Sequence, residues 1–320
     1  MSNFLIGHLE VRQKCEYDLI FCTSGSEQRC THWHEAFNPS GKRKIAWAYS
    51  RDTDSRASVN QKYFAKNKFD IINEGILTAR QVIRGMLQSF TGATGVTIAI
   101  DVSSMTRELM ATWISELNSH RFAYEIKVDF VYSRAKFSPP SKSSGLADKP
   151  VPVIPEFAGI WNDPEKPLLL ILGVGYEPYL ATSFCEFLDP SSVVAFIPTG
   201  HEQDYTTEIS RQNKDLLKLL VNRHELLIKY DVEIPINLYI KLESVVFGRK
   251  NHQRINIAPY GLKTFALCSF LVAARYAPQV MVWHLNPSRI VNKMTNRIAA
   301  GDVTGITAIF KSYNNLPESQ

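Results

Sequence analysis

Several features that would place this chain in a specialised class are missing from its sequence. The longest apolar runs, residues 168–174 and 265–274, are much shorter than the roughly 20 residues of a membrane-spanning helix. Residues 1–18 contain no basic segment followed by an apolar run, so they do not read as a secretory signal. The five cysteines include no C-x-x-C pair, which argues against a disulfide framework or a zinc site. We therefore expect a cytoplasmic protein with no metal, no cofactor and no membrane partner.

Strong charge of one sign is also missing. The 36 Lys and Arg residues against 31 Asp and Glu residues give a net charge of +5. This small excess permits an anionic ligand but falls far short of the dense basic surface of a dedicated duplex-DNA binder. The chain has 320 residues, 45% of them hydrophobic, which is enough for one large domain or for two domains of about 150 residues each.

Short apolar runs alternate with longer helical stretches along the first half. The predicted strands are 17–22, 44–49, 96–102 and 126–132, and the predicted helices are 27–37, 76–90 and 106–119, with a polar connection over 50–67. Strands that alternate with helices of this length indicate βαβ units and a mostly parallel sheet. The unbroken apolar runs are typical of strands buried on both faces.

Proline is concentrated near the middle of the chain, where seven of the 16 prolines lie between residues 138 and 167. Because proline interrupts helices and strands, we expect a Pro-rich linker over 141–167 between a first half, 1–140, and a second half, 168–320.

The second half repeats four elements of the first in the same order. The matched segments are 19–29 with 169–179, 44–50 with 192–198, 98–110 with 255–267, and 128–137 with 280–289. The predicted fold class is therefore α/β, with two tandem Rossmann-like halves that have mostly parallel sheets and are related by a pseudo-twofold internal duplication.

The turn after the first strand of each half supplies the first candidate site residues. Ligands of open α/β sheets bind beyond the carboxyl ends of the strands, and glycine lets the backbone approach them closely. The ligand-binding candidates in these turns are Gly25, Ser26, Arg29, Gly175 and Tyr176. Glu27 and Glu177 follow the two glycines, and the alternative is that these carboxylates only complement the dipole of a helix.

Two further turns carry hydroxyls and cations. After the third strand the candidates are Ser103, Ser104, Thr106 and Arg107 in the first half and Gly261, Lys263 and Thr264 in the second. Hydroxyls and a cation at the start of a helix suit a phosphate, although the hydroxyls alone are common helix caps. After the fourth strand of the first half the candidates are Arg134 and Lys136, and His284 sits at the end of the fourth strand of the second half. A solvated loop is the equal alternative for this turn.

One of these motifs resembles a known family. The strand that ends in Asp101-Val-Ser-Ser-Met-Thr-Arg107 and runs into a helix resembles the strand–turn–helix motif of CRISPR-associated Rossmann-fold (CARF) sensor domains, and residues 257–267 look like a second copy. Two such units in one chain are similar to the SAVED sensors of prokaryotic anti-phage defence systems. The resemblance implies a nucleotide or cyclic oligonucleotide as ligand, and a protein partner, an effector or an ATPase, that responds to it.

Two other functions are consistent with the same residues. The protein would be a nucleotide or phosphodiester hydrolase if Glu27, Asp101 or Glu177 acted as general acid or base beside phosphate-binding cations. It would be a scaffold for a partner if the duplicated cleft were degenerate.

Overall fold

The computed structural model describes residues 4–50, 52, 54–75, 78–90, 93–119, 122–138, 149–160, 163–176, 178–200, 203–285 and 297–311. The chain divides into two compact units. The first comprises Met1–Lys136 together with Met294–Gln320, and the second comprises Phe137–Lys293.

The strands within these ranges are β1 (Phe4–His8), β2 (Glu16–Ser24), β3 (Ser40–Ala48), β4 (Asp70–Asn73), β5 (Gly95–Asp101), β6 (Glu125–Ala135), β7 (Pro150–Pro152), β8 (Leu168–Gly173), β9 (Ser192–Thr199), β10 (Leu226–Asp231), β11 (Arg254–Ala258), β12 (Val280–Leu285) and β13 (Ala299–Phe310). The helices are α1 (His32–Phe37), α2 (Ser55–Lys66), α3 (Ala79–Gln88), α4 (Arg107–Ser119), α5 (Pro178–Leu188), α6 (Gln203–Gln212), α7 (Lys214–Asn222), α8 (Pro235–Arg249) and α9 (Lys263–Arg275). Short 3-10 turns cover Gln28–Thr31 and Pro155–Phe157.

The first unit is built on a sheet whose described strands follow the order β1-β13-β6-β5-β2-β3-β4. The five strands from β6 to β4 run parallel to one another. β13 lies between β6 and β1 and is antiparallel to both. The carboxyl halves of β2 and β5 and residues 128–133 of β6 are buried, as their apolar sequences predict.

The second unit has a sheet in the order β10-β9-β8-β11-β12-β7. Its first five strands are parallel, and β7 is antiparallel to β12. Numbered by their place in the chain, the five parallel strands of each unit follow the same order, 3-2-1-4-5, which is that of the Rossmann fold. The prediction of a mixed α/β protein with two mostly parallel sheets is confirmed.

Each sheet is covered by helices that bury large aromatic side chains against it. In the first unit the ring of Trp113 on α4 packs edge-on against Phe21 of β2, with 5.0 Å between ring centroids. In the second unit Phe265 of α9 packs against Phe196 of β9, with centroids 5.5 Å apart. Because α4 and α9 are buried along most of their length, their first residues are held at the carboxyl edge of the sheets.

The structure divides the chain differently from the prediction of halves 1–140 and 168–320. The C-terminal strand β13 belongs to the first unit, since Ile306 and Ala308 are fully buried there and pair with β6. The predicted linker 141–167 also contains structure in its described part: Pro150–Pro152 forms β7 at the edge of the second sheet, where a proline costs no interior hydrogen bond.

Within the first half, the predicted elements are mostly present but two others were missed. The predicted helix 27–37 starts as the 3-10 turn Gln28–Thr31 and becomes α-helical only at His32. The polar connection 50–67 contains α2, whose N-cap Asp54 accepts a hydrogen bond from the Ala57 N–H at 2.7 Å. The short strand β4 follows α2 and was also not predicted.

Candidate functional site

The strand order places the first two predicted turns side by side in each unit. The order reverses between β2 and β5 in the first unit and between β8 and β11 in the second. At such a switch point the two connections leave on opposite faces of the sheet, and a crevice opens beyond the carboxyl ends of the strands. In the first unit the turns are in direct contact, because the hydroxyls of Thr23 and Ser104 are hydrogen-bonded at 2.6 Å.

Asp101, at the end of β5, is part of a buried hydrogen-bond network that joins β5 to β6. Its side chain is 2% exposed, and its Oδ1 accepts hydrogen bonds from the backbone N–H of Ser103, at 2.8 Å, and from the Ser103 hydroxyl. The Ser103 Oγ in turn accepts the backbone N–H of Ser133 on β6 at 2.8 Å. Burial raises the pKa of Asp101 to about 6, although the hydrogen bonds from Ser103 act in the opposite direction. These contacts link β5 to β6 and keep both predicted residues inside the unit.

The start of α4 combines a cap with a cation. The Thr106 hydroxyl accepts the backbone N–H of Leu109 at 3.2 Å, so it caps the helix as the alternative interpretation stated. The backbone N–H of Thr106 donates to the hydroxyl of Tyr49 at 2.9 Å. Arg107, the first residue of the helix, is half-buried at the carboxyl edge of the sheet.

Arg29 is enclosed in the first unit rather than presented at its surface. It is 1% exposed, and its Nε donates to Glu27 Oε2 at 2.6 Å. Its Nη1 donates to the carbonyl of Ser133 at 3.0 Å and to the hydroxyl of Tyr132 at 3.3 Å. Glu27 also lies 3.8 Å from the guanidinium of Arg297 and makes no side-chain cap to the turn that follows it. Glu27 and Arg29 thus form an ion pair within the turn, and the hydrogen bonds from Arg29 fix the turn to β6.

The glycine turn itself is held by two residues that the sequence did not reveal. Asn60 of α2 donates from Nδ2 to the carbonyl of Gly25 at 2.7 Å. Asp52 accepts the backbone N–H of Ser26 at 3.2 Å, and a Cβ on Gly25 would lie 2.9 Å from the same carboxylate oxygen. Asp52 and Asn60 both belong to the polar stretch 50–67, which shows no motif of its own.

In the second unit the two corresponding turns also contact each other, and a glycine makes this close contact possible. Gly261 has a φ of +73°, and a Cβ there would lie 2.7 Å from the carbonyl oxygen of Val174. Only glycine fits such a backbone at this distance, so residues 259–264 pack against residues 174–175. Lys263 is half-buried and begins α9, while the side chain of Thr264 is buried.

The other predicted residues of the second turn are partly described. Gly175 is buried and its carbonyl accepts a hydrogen bond from Asn213 Nδ2 at 2.8 Å. The ring of Tyr176 packs edge-on against Tyr205, with centroids 4.8 Å apart. Glu177 lies outside the described residues.

The third predicted turn differs from expectation because the strands extend further. β6 continues to Ala135, and Arg134 is paired across the sheet with Asp302 of β13 at 2.7 Å. Lys136 follows the strand and is exposed. His284 lies inside β12, is buried, and is in register with Val151 of β7. Arg134 therefore lies in a strand rather than in the predicted turn, whereas His284 lies near the end of β12, as predicted.

Outside the switch points, the described residues form an open groove in which several polar groups are already paired with each other. The groove lies at the amino ends of β2, β3 and β5, opposite the switch point, and is lined by Glu16, Tyr17, Asp18, Ser40, Gly41, Lys42 and Thr97. The Asp18 carboxylate there already binds Lys42 at 2.8 Å and the Thr97 N–H at 2.8 Å. Among the residues described, no three His, Cys, Asp or Glu side chains are grouped to hold a metal ion. None of the described helices has the length and apolar character needed to cross a membrane.

Comparison with known proteins adds little to this geometry. No protein-family model matches the chain, and no curated protein matches it. One solved structure that is similar to it is the 16S rRNA N2 G1207 methyltransferase RsmC of T. thermophilus in complex with AdoMet and guanosine. The two are 9% identical, the match covers 95% of this chain and 89% of that one, and the TM-score is 0.19. At this TM-score the match carries no argument about fold or function.

Proposed function

We propose that this protein is a sensor that binds a nucleotide or a cyclic oligonucleotide and acts through a protein partner in a prokaryotic antiviral defence system. The observation that carries the proposal is a cation at the same place in both units. Arg107 begins α4 directly beyond β5, and Lys263 begins α9 directly beyond β11, and both helices have 13 residues. The N-terminus of a helix and an adjacent cation together stabilise a phosphate group.

An internal duplication is part of the proposal. Both units have five parallel strands in the order 3-2-1-4-5. In both sheets the strand beside the fifth parallel strand is antiparallel to it. The segments that match in sequence fall on strands of equal rank: β2 with β8, β3 with β9, β5 with β11, and β6 with β12. A duplicated unit would keep its binding edge in both copies, which supports the assignment of Arg107 and Lys263 to one role.

Buried hydroxyls at the carboxyl edges also support binding. The side-chain oxygens of Ser24, Ser133 and Thr264 are buried and have no hydrogen-bond partner within the described residues. Folded proteins pair nearly all such groups, because an unpaired buried hydroxyl is costly. A polar ligand that rearranged the turns would pair these oxygens, and a rearrangement of this kind is what a partner protein would detect.

Calorimetry with a defined panel tests the proposal. The panel is ATP, AMP, cyclic di-AMP and cyclic tri-AMP. We expect the wild-type protein to bind at least one member, and R107A with K263A to weaken that binding at least 10-fold, since each charged hydrogen bond contributes about 1.5–3 kcal/mol. The matched controls are R43A and K218A, which remove an exposed cation from each unit away from the switch points. Binding to none of the panel, or equal binding by the double variant, would overturn the proposal.

The geometry favours a sensor over a hydrolase. Of the predicted catalytic carboxylates that the structure describes, Glu27 is paired with Arg29 and Asp101 is buried and tied to Ser103. The same panel separates the alternatives: release of phosphate or of a linearised product that E27Q abolishes would indicate an enzyme. Stable co-purification with a partner, without binding of any panel member, would indicate a scaffold.

A further inference from the structure

Two buried asparagines hold the glycine turns of the two units in the same way. Asn60 is 3% exposed, and its Nδ2 donates to the carbonyl of Gly25 at 2.7 Å and to that of Glu27 at 3.1 Å. Asn213 is 1% exposed, and its Nδ2 donates to the carbonyl of Gly175 at 2.8 Å and to that of Ile209 at 2.9 Å. In both units a side-chain amide thus donates to the carbonyl of a glycine within two residues of the end of the first parallel strand.

The two asparagines also occupy equivalent places in the fold. Asn60 lies on α2, in the connection from β3 to β4. Asn213 lies between α6 and α7, in the connection from β9 to β10. These connections have the same rank in the two units, and β3–β4 and β9–β10 are the corresponding strand pairs. The shared contact is therefore a property of the unit rather than an accident of one turn.

The planarity of the peptide bond gives this contact a consequence. The carbonyl oxygen of Gly25 and the N–H of Ser26 belong to one planar group and point in opposite directions. An amide that fixes the oxygen on one side therefore fixes the direction of the N–H on the other. In the first unit that N–H meets an anionic oxygen, because Ser26 N donates to Asp52 Oδ2 at 3.2 Å. The corresponding donor in the second unit is the N–H of Tyr176.

We infer that Asn60 and Asn213 are positioning residues, which aim the N–H groups of Ser26 and Tyr176 at an anionic group of the ligand. The inference rests on the proposed function for the identity of that ligand. A turn that is fixed before binding loses little entropy on binding, so the two amides raise affinity without touching the ligand. The Ser26 N–H donates to the Asp52 carboxylate in this structure, so an anionic group of the ligand would replace that carboxylate as the acceptor.

Hydrogen exchange and calorimetry on the full chain test the inference together. In N60A we expect amide exchange in a peptide spanning Gly25 and Ser26 to rise at least 10-fold while β5 keeps its protection. In N213A we expect the same for Gly175 and Tyr176 while β11 keeps its protection. The dissociation constant of whichever nucleotide of the panel binds the wild type should rise about 10-fold, which corresponds to about 1.4 kcal/mol.

A buried asparagine elsewhere provides the matched control. Asn256 lies in β11 and is buried, so N256A also removes an interior amide. We expect N256A to lower the melting temperature but to leave exchange in both turns and the affinity at wild-type values. If the alanine variants do not fold, N60L and N213L keep a side chain of similar shape without the donor, and the same results are expected.

The outcomes separate the inference from the proposed function. Unchanged exchange in the turns, or unchanged affinity in both variants, would overturn the positioning role while the proposed function stands. If the wild type binds no nucleotide, the proposed function and the ligand-directed part of the inference both fail. Equal loss of affinity in N256A would show that the effect is general destabilisation and would also overturn the inference.

Discussion

At the scale of single residues, Asp101 is a carboxyl group whose pKa the fold raises. Its carboxyl is buried at the end of β5, and burial raises its pKa from 3.8 to about 6. The folded protein therefore binds more protons than the unfolded chain between about pH 4 and pH 6. Stability consequently falls as the pH rises through this window and stays lower above it.

Replacement of Asp101 by asparagine should remove that pH dependence. Asparagine keeps an oxygen that accepts the two hydrogen bonds from Ser103 but does not ionise. Relative to wild type, the free energy of unfolding of D101N should be about 2–3 kcal/mol higher at pH 7.5 than at pH 4, so the variant is stabilised at the higher pH. Urea unfolding at the two pH values measures this difference. D70N removes an exposed carboxylate as the control, and an equal effect of D101N at both pH values would contradict the prediction.

The residues at the switch points show what the sequence could and could not indicate. Gly25 and Gly261 were predictable, because a glycine beyond a buried strand indicates a tight turn or a close approach. The burial of Arg29 was not, since a charged residue is normally exposed and its partner Ser133 is 104 residues away. Asn60 and Asn213 were missed because a single polar residue, on a helix or between two helices, carries no periodic signal.

At the scale of elements, α3 and α4 are joined by ion pairs between a buried carboxylate and two arginines. Glu116 of α4 is buried, and Arg84 of α3 donates to both of its oxygens, at 2.9 Å from Nε and 3.1 Å from Nη2. Arg80, one turn earlier on α3, adds a third bond at 2.9 Å from Nη1. The bidentate geometry makes this ion pair stronger than an exposed one.

Loss of that carboxylate should destabilise the first unit measurably. We expect E116A to lower the free energy of unfolding by about 1–3 kcal/mol, because both arginines are partly exposed and regain water when the pair is broken. R84A should cost less, since Arg80 still neutralises Glu116. Chemical denaturation of the two single variants, and of E116A with R84A, gives the coupling energy. The prediction would be contradicted if E116A cost less than R84A.

Strands that are buried on both faces were predictable, because burial requires a run of apolar residues. Short or exposed elements lack such a run and were not predictable. The strands β2, β3, β5 and β6 follow from runs of apolar residues that a sheet buried on both faces requires. β4 has only four residues, none of them fully buried, so its sequence lacks that run. Half of the residues of α2 are exposed and its sequence is polar, so its start is marked only by the Asp54 cap.

At the scale of the whole molecule, the chain leaves the first unit after β6 and returns to it with β13. The sequence could not indicate this return. β13 pairs with β6 and β1, strands that lie more than 160 residues earlier, and its alternating apolar and polar residues fit the edge region of either sheet. Its place is decided by the buried face of Ile306, Ala308 and Phe310, which only a specific register brings onto the core.

A charged residue on the buried face of β13 should therefore unfold the first unit and leave the second unit folded. Ile306 is fully buried and is in register with Phe130 of β6 and His8 of β1. An aspartate in its place would put an unpaired carboxylate into the core, at a cost of several kcal/mol. Because β13 is the only described link between β6 and β1, I306D should also separate those strands.

Hydrogen exchange measured by mass spectrometry distinguishes the two units in I306D. Peptides from β2 and β5 should lose protection, whereas peptides from β8 and β11 should keep it, because the second unit has its own sheet and its own buried cluster. I298D is the control, since Ile298 is exposed just before β13 and tolerates a charge. Loss of protection in β8 and β11 with β5 intact would assign the C-terminal strand to the second unit, as the sequence alone suggested. Loss of protection in both units would show that neither sheet is stable without the other. The two units would then fold as one domain.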